Sequence, residues 1–176
     1  MTITALTTYR SLEFPNLLWL EAETADGVVG LGETFYAAEA VEAYIHANLA
    51  PIVLGMSAVD IEAVHYRTRP YIGFVAASTE LRARSALDIA LWDVLGKLTG
   101  QPTSVLLGGR IRSQIPVYNT CAGNQYVRGT KLGTTQNFGI ASSGTDQNYE
   151  DLDRFLNDPV GLAGSLLDMG IDSMKI

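Results

Sequence analysis

The stretch Leu81-Arg-Ala-Arg-Ser-Ala-Leu-Asp-Ile-Ala-Leu-Trp-Asp-Val-Leu-Gly-Lys-Leu-Thr-Gly-Gln-Pro102, closing on Leu106-Leu-Gly-Gly109, decides the fold. Leu87, Leu91, Val94, Leu95 and Leu98 recur at helical spacing, and Ala83, Ala86 and Ala90 run beside them. The pattern predicts one long amphipathic helix over Leu81 to Leu98, packed closely enough to need alanines on its inner face. Ser78 or Thr79 supplies a cap, Glu80 complements the helix dipole, and Gly100 with Pro102 stops the run.

Upstream, three strands are expected. Ile3 to Tyr9 is rich in Thr and β-branched residues. Leu17 to Thr24 alternates, with Leu18, Leu20 and Ala22 on one side and Trp19, Glu21 and Glu23 on the other. Asp26-Gly27 predicts a tight hairpin of type I′, in which both central positions need positive φ. Val28 to Glu33 returns antiparallel, and Gly30 and Gly32 leave room for another backbone. Two helices separate this meander from the long one. Ala37 to Leu49 places Val41, Tyr44, Ile45 and Leu49 on one face and is expected to stop at Pro51. A second, capped by Ser57, runs through Ile61 and Val64 toward Thr68, before Pro70. The fold class is α+β: a three-stranded antiparallel meander plus a helical bundle.

After Arg112 the pattern changes. Ile115 to Cys121 reads as a short strand. Gly123 to Asn148 is polar and rich in Gly, Thr, Ser and Asn, the signature of a long functional or disordered loop. Tyr149 to Leu156 and Pro159 to Met169 read as helices, with Pro159 in a first turn and Gly170 at C′. Ile171 to Ile176 reads as another strand. Strand, loop, helix, strand is a βαβ unit, which requires a parallel sheet to bury it.

With 47% hydrophobic and 18% charged residues in 176, the composition is globular. A formal charge of -7 argues against nucleic acid or an anionic membrane as partner. Cys121 is the single cysteine, so an internal disulfide and a Cys-based zinc site are excluded. The opening Met1-Thr-Ile-Thr-Ala-Leu lacks the form of a secretory signal, and no apolar run is long enough to span a bilayer, so the expected location is the cytoplasm.

Several motifs, taken in order, resemble the mandelate racemase/muconate lactonizing group of the enolase superfamily. They are Asp26-Gly-Val-Val-Gly-Leu-Gly-Glu-Thr-Phe35, the Ala83 to Lys97 segment, Gln101-Pro102, Leu106-Leu-Gly-Gly109, Val117-Tyr-Asn-Thr-Cys-Ala-Gly123 and Met174-Lys-Ile176. Thr103 departs from the pattern, standing where an aliphatic residue is expected. The Asn-Thr-Cys-Ala-Gly form and the Met-Lys-Ile ending look most like the acid-sugar dehydratase branches.

The resemblance implies an N-terminal capping domain, residues 1–112, over a TIM-type barrel of which 113–176 would be the first βα unit and the start of the next strand. It implies removal of a proton α to a carboxylate, with an enediolate stabilised by Mg²⁺ in the full-length enzyme. Acid-sugar dehydration is the favoured reaction, with racemase and cycloisomerase as sister chemistries. The partner implied is a small carboxylate or acid sugar, and the full-length enzyme is expected to be a homo-oligomer. The family's metal-binding acids lie on later barrel strands. No metal ligand is therefore expected within this chain, no tight Mg²⁺ binding, and no activity from it alone.

Site residues follow from the same resemblance. Lys175 matches the first lysine of the Lys-x-Lys element on the second barrel strand, which helps to bind the substrate carboxylate; otherwise it reads as a solvated terminus. Phe14 and Asn16, between the first two strands, and Phe35 and Tyr36, after the third, occupy the two loops that shut the active site. Without the family, each aromatic reads as core packing. Asn119, with Val117 and Cys121, would line the barrel interior.

Other candidates read structurally. Asp88 and Asp93 lie five apart on a helix and point apart, so they are expected to be ion-paired or bonded to backbone, with Glu33 in a similar role. His46 and His65 lack ligand spacing. Arg82, Arg84, Arg110 and Arg112 read as charge partners. The competing class is a non-catalytic α+β binding or assembly module, in which Leu162, Leu166, Leu167 and Met169 would need a cover.

Overall fold

The computed structural model describes residues 1–12, 14–69, 78–120 and 152–175. The chain divides into two compact units, Met1–Arg110 and Ile111–Ile176.

In the first unit, β1 (Ile3–Arg10), β2 (Leu17–Thr24) and β3 (Val29–Phe35) form an antiparallel sheet in that order. The alternation of β2 sets its orientation. Leu18, Leu20 and Ala22 are buried, while Trp19 and Glu21 face outward among cross-strand partners. There Trp19 Nε1 donates to Glu33 at 2.8 Å and Tyr9 Oη donates to Glu21 at 2.8 Å. The β2–β3 hairpin differs from the expected type I′ turn. Of its residues only Gly27 has positive φ (77°), and its N–H bonds the Thr24 carbonyl at 2.8 Å. A turn over residues 24–27 is thus closed by a left-handed glycine, the usual build of a loop one residue longer.

The first helical region is α1 (Ala38–Tyr44), a π-helical segment (Ile45–Leu49) and α2 (Ala50–Val53). The expected stop at Pro51 does not occur. The Ala50 N–H bonds back to Ile45, and this wider turn shifts the hydrogen-bond register just where Pro51 brings no N–H. The next helix, α3 (Ile61–Arg67), starts after Asp60 rather than from Ser57, because Ser57 pairs with Thr2 in an isolated bridge. The long helix α4 runs Thr79–Thr99 and ends on Gly100 at φ 63°. A short helix, α5 (Thr103–Leu106), follows it.

The core joins Ile3, Leu18 and Leu20 of the sheet to Val41, Ile45, Leu49 and Val53, to Ile61 and Val64, and to Ala83, Ala86, Leu87, Leu91 and Val94 of α4. Each large aliphatic side chain so buried contributes about 1.5–3 kcal/mol. Leu95 and Leu98 pack at its margin.

In the second unit, α6 (Leu152–Asn157) and α7 (Pro159–Asp168) are joined by Asp158, whose carboxylate accepts the Gly161 N–H at 3.0 Å as an N-cap. Leu162 and Leu166 are buried against Phe155, Ile171 and Met174, whereas Leu167 and Met169 are exposed. The two expected strands meet in one parallel bridge, Asn119 with Met174. Asn119 N–H donates to Ser173 O at 2.9 Å and Lys175 N–H to Asn119 O at 2.8 Å. Cys121, the 123–148 loop and the Tyr149 start expected for the first helix lie outside the described residues.

Candidate functional site

Both loops singled out in the sequence leave the same end of the sheet. One connects β1 to β2 and the other follows β3. They are tied together: the Tyr36 N–H donates to the Asn16 carbonyl at 2.7 Å, and the Leu17 N–H closes back on Phe14 O at 3.0 Å. Phe14, Asn16 and Phe35 are half-buried, and Tyr36 is 40% exposed, so of the ring that ends β3 and the ring that follows it, the second is the more open to solvent.

The second loop is strained. Tyr36 and Ala37 both occupy the left-handed region, at φ 74° and 54°, which costs an L-residue about 1–2 kcal/mol. Such conformations persist where surrounding contacts over-determine them. One of those contacts comes from α4. Arg82 Nη1 donates to the Phe35 carbonyl at 2.7 Å, and its guanidinium carbon lies 4.8 Å from the Phe35 ring centroid and 5.4 Å from that of Tyr36. Read from the sequence as a charge partner, Arg82 instead meets a carbonyl and two rings.

A single stripe of α4 makes this contact and two more along β3. At roughly 100° per residue, Arg82, Ala86, Ala90, Asp93 and Lys97 fall within about 80° of arc. The Asp93 carboxylate accepts the Leu31 N–H at 2.8 Å, and Lys97 Nζ donates to Val29 O at 2.7 Å and pairs with Asp93 at 2.7 Å. Because β3 is an edge strand, these side chains satisfy backbone groups that would otherwise face outward. Between them, Ala86 and Ala90 bring the α4 backbone against Gly32 and Gly30 so closely that a Cβ on either glycine would overlap a carbonyl oxygen. Asp93 is thus bonded to backbone and ion-paired, and Glu33 receives the Trp19 indole.

Asp88 sits on the same helix but away from this stripe. Burial pushes its pKa up, the His65 charge opposes that, the Glu62 carboxylate adds to it, and Arg84 opposes it again. Arg84 is buried, with Nε donating to Thr68 Oγ1 at 3.3 Å and Nη2 donating to His65 O at 3.3 Å. His46 lies 2.8 Å from Thr8 Oγ1, which also donates to Glu42.

In the second unit, Asn119 is buried and Lys175 exposed, and the parallel bridge makes them neighbours. Phe14, Asn16, Phe35 and Tyr36 are therefore gathered at one tip of the first unit, and Asn119 with Lys175 in the second. Among the described residues no three acidic, His or Cys side chains converge to hold a metal ion, and no helix is long and apolar enough to cross a membrane. The described residues thus do not fit a Mg²⁺ site.

Residues 3–108 match the family described as mandelate racemase / muconate lactonizing enzyme, N-terminal domain. Over 130 residues the chain is 36% identical to a D-galactonate dehydratase of Verminephrobacter eiseniae, covering 71% of this chain and 32% of that protein. It is similar to the crystal structure of an enolase from the environmental genome shotgun sequencing of the Sargasso Sea: 51% identity, TM-score 0.64, 69% of this chain and 33% of that one. It is also similar to an enolase of the mandelate racemase subgroup from Agrobacterium tumefaciens, at 48% identity and TM-score 0.66, over 68% of this chain and 33% of that one. The chain spans about a third of the length of the curated relatives it matches, 32%. The meander, its covering helices and the match over residues 3–108 agree: the chain belongs to the mandelate racemase/muconate lactonizing enzyme group of the enolase superfamily, and its sheet and helices are that family's N-terminal capping domain.

Proposed function

We propose that residues 1–112 cap the active site of an acid-sugar dehydratase and that residues 113–176 begin its barrel. The observation that carries this reading is the joined tip. Two loops from one end of the sheet are locked by the Asn16–Tyr36 bond, and the second of them presents an exposed aromatic ring. A cap of this build excludes water from the reacting centre and shapes the cavity around the substrate. The 36% identity to a D-galactonate dehydratase supports an acid sugar as substrate.

In this reading the whole enzyme takes the proton α to the carboxylate and expels the β-hydroxyl as water, leaving an enol that becomes a 2-keto acid. A divalent cation such as Mg²⁺ would be held by acidic residues of the completed polypeptide outside the capping domain and would supply positive charge beside the substrate carboxylate. Within this chain, Phe14, Asn16, Phe35 and Tyr36 bound the substrate from the cap. Lys175, at the end of the second barrel strand, faces the substrate carboxylate, and Asn119 belongs to the cavity wall.

The test is a screen of acid sugars against the completed polypeptide, the chain continued through its barrel, with 2-keto acid formation as the readout. Turnover of at least one acid sugar that is lost on chelation of Mg²⁺ is expected, with none from the 176-residue chain alone. A completed, folded polypeptide inert toward every acid sugar would refute the proposal, as would turnover by the 176-residue chain itself.

A further inference from the structure

We propose that Arg82 is a positioning residue: it holds the Phe35–Tyr36–Ala37 turn in its left-handed backbone conformation and so fixes the Tyr36 ring where a polyhydroxy carboxylate meets the cap. The turn has two consecutive non-glycine residues at positive φ. Its hydrogen bonds therefore have to outweigh a standing preference to relax. Two bonds do so from opposite sides of the peptide chain. Asn16 O accepts the Tyr36 N–H, and the Phe35 carbonyl just before it accepts Arg82 Nη1, each at 2.7 Å.

Arg82 is suited to this by where it is rooted. It lies in the first turn of α4, where its own N–H bonds Ser78 O at 2.9 Å, and the adjoining Ala83, Ala86 and Leu87 are buried. The clamp thus transmits the position of a rigid helix to a surface loop. Its chemistry is specific to arginine. A planar guanidinium can donate in its plane to Phe35 O while lying near the Phe35 and Tyr36 rings, whereas a lysine ammonium supplies the charge and a donor without the flat contact.

The substrate clause rests on the dehydratase reading; the clamp itself does not. Amide hydrogen exchange in the 176-residue chain tests the clamp. In Arg82→Met the Tyr36 amide is expected to exchange about tenfold faster, with Leu87 and Leu91 of α4 at wild-type rates and Arg82→Lys in between. An unchanged Tyr36 rate overturns the proposal, and so does uniform acceleration through sheet and α4, which would mark Arg82 as general support. Should Arg82→Met not fold, Arg82→Lys decides: acceleration confined to the turn supports the clamp, and wild-type rates overturn it.

In the completed polypeptide, the same substitution is expected to raise KM for the acid sugar about tenfold with a smaller change in kcat. An active wild type whose KM is unmoved by Arg82→Met overturns the substrate clause. A wild type inert toward acid sugars removes the dehydratase reading and the substrate clause together, while the exchange result still decides the clamp.

Discussion

Asp88 illustrates how one residue can read ambiguously in a sequence and clearly in a fold. Its type and spacing alone leave ion pair and backbone bond open. Its surroundings hold the carboxyl above its ordinary range, chiefly through burial and partly through Glu62, against the pull of His65 and Arg84. In the folded state Asp88 therefore keeps its proton to higher pH than in the unfolded chain, whose value is about 3.9. Folding then binds protons in that window. The contribution of Asp88 to stability falls as pH rises through it and stays lowered above it. Asp88→Asn is accordingly expected to match wild type in acid, below both pKa values, and to exceed it in denaturation midpoint at neutral pH. Paired urea titrations from acid to neutral pH check this, and a variant less stable than wild type at neutral pH would show that the charged form is the favoured one. Arg82 marks the opposite limit of sequence reading at this scale. Its acceptor is a backbone carbonyl, and a carbonyl has no residue-type signature.

At the level of elements, side-chain periodicity carried the reading further. The alternation Leu18, Leu20, Ala22 and the helical spacing of Leu87, Leu91 and Val94 are each forced by which face is buried, and each holds. Gly30 and Gly32 are legible for the same reason: a strand glycine opposite an alanine stripe means backbone against backbone. Gly32→Ala places a Cβ on the Ala86 carbonyl oxygen, and neither that carbonyl nor the strand can move without breaking its own pairing. The expected loss is about 3 kcal/mol, near the upper end for overpacking, seen as a lower urea midpoint at unchanged slope. A loss within experimental error would mean that α4 rides off the sheet. Where the sequence misled, the cause was local hydrogen bonding that residue type does not encode. The π-helical register carries the first helix past Pro51, Ser57 is taken by Thr2, and Gly27 alone turns the hairpin. The Asp158 cap on α7 was readable in principle, since Asp followed by Pro opens helices.

For the whole molecule, the capping fold was legible because its motifs fall on the contacts that build it. The Asp26 to Phe35 run is the hairpin and edge strand, and the Ala83 to Lys97 run is the helix that satisfies that edge. The candidate site was legible only as a pair of loops. That the loops share a bond, and that α4 reaches across to the second of them, depends on contacts between residues far apart in the sequence. The central claim is that this cap lays its loop tip on an acid sugar. The most direct measurement is a crystal structure of the completed polypeptide with an acid sugar or its 2-keto product bound. The account predicts the Tyr36 ring in van der Waals contact with the ligand, about 4 Å between heavy atoms, with the Arg82–Phe35 hydrogen bond intact. A ligand seated in the barrel with Tyr36 and Phe14 both turned away to solvent would contradict it.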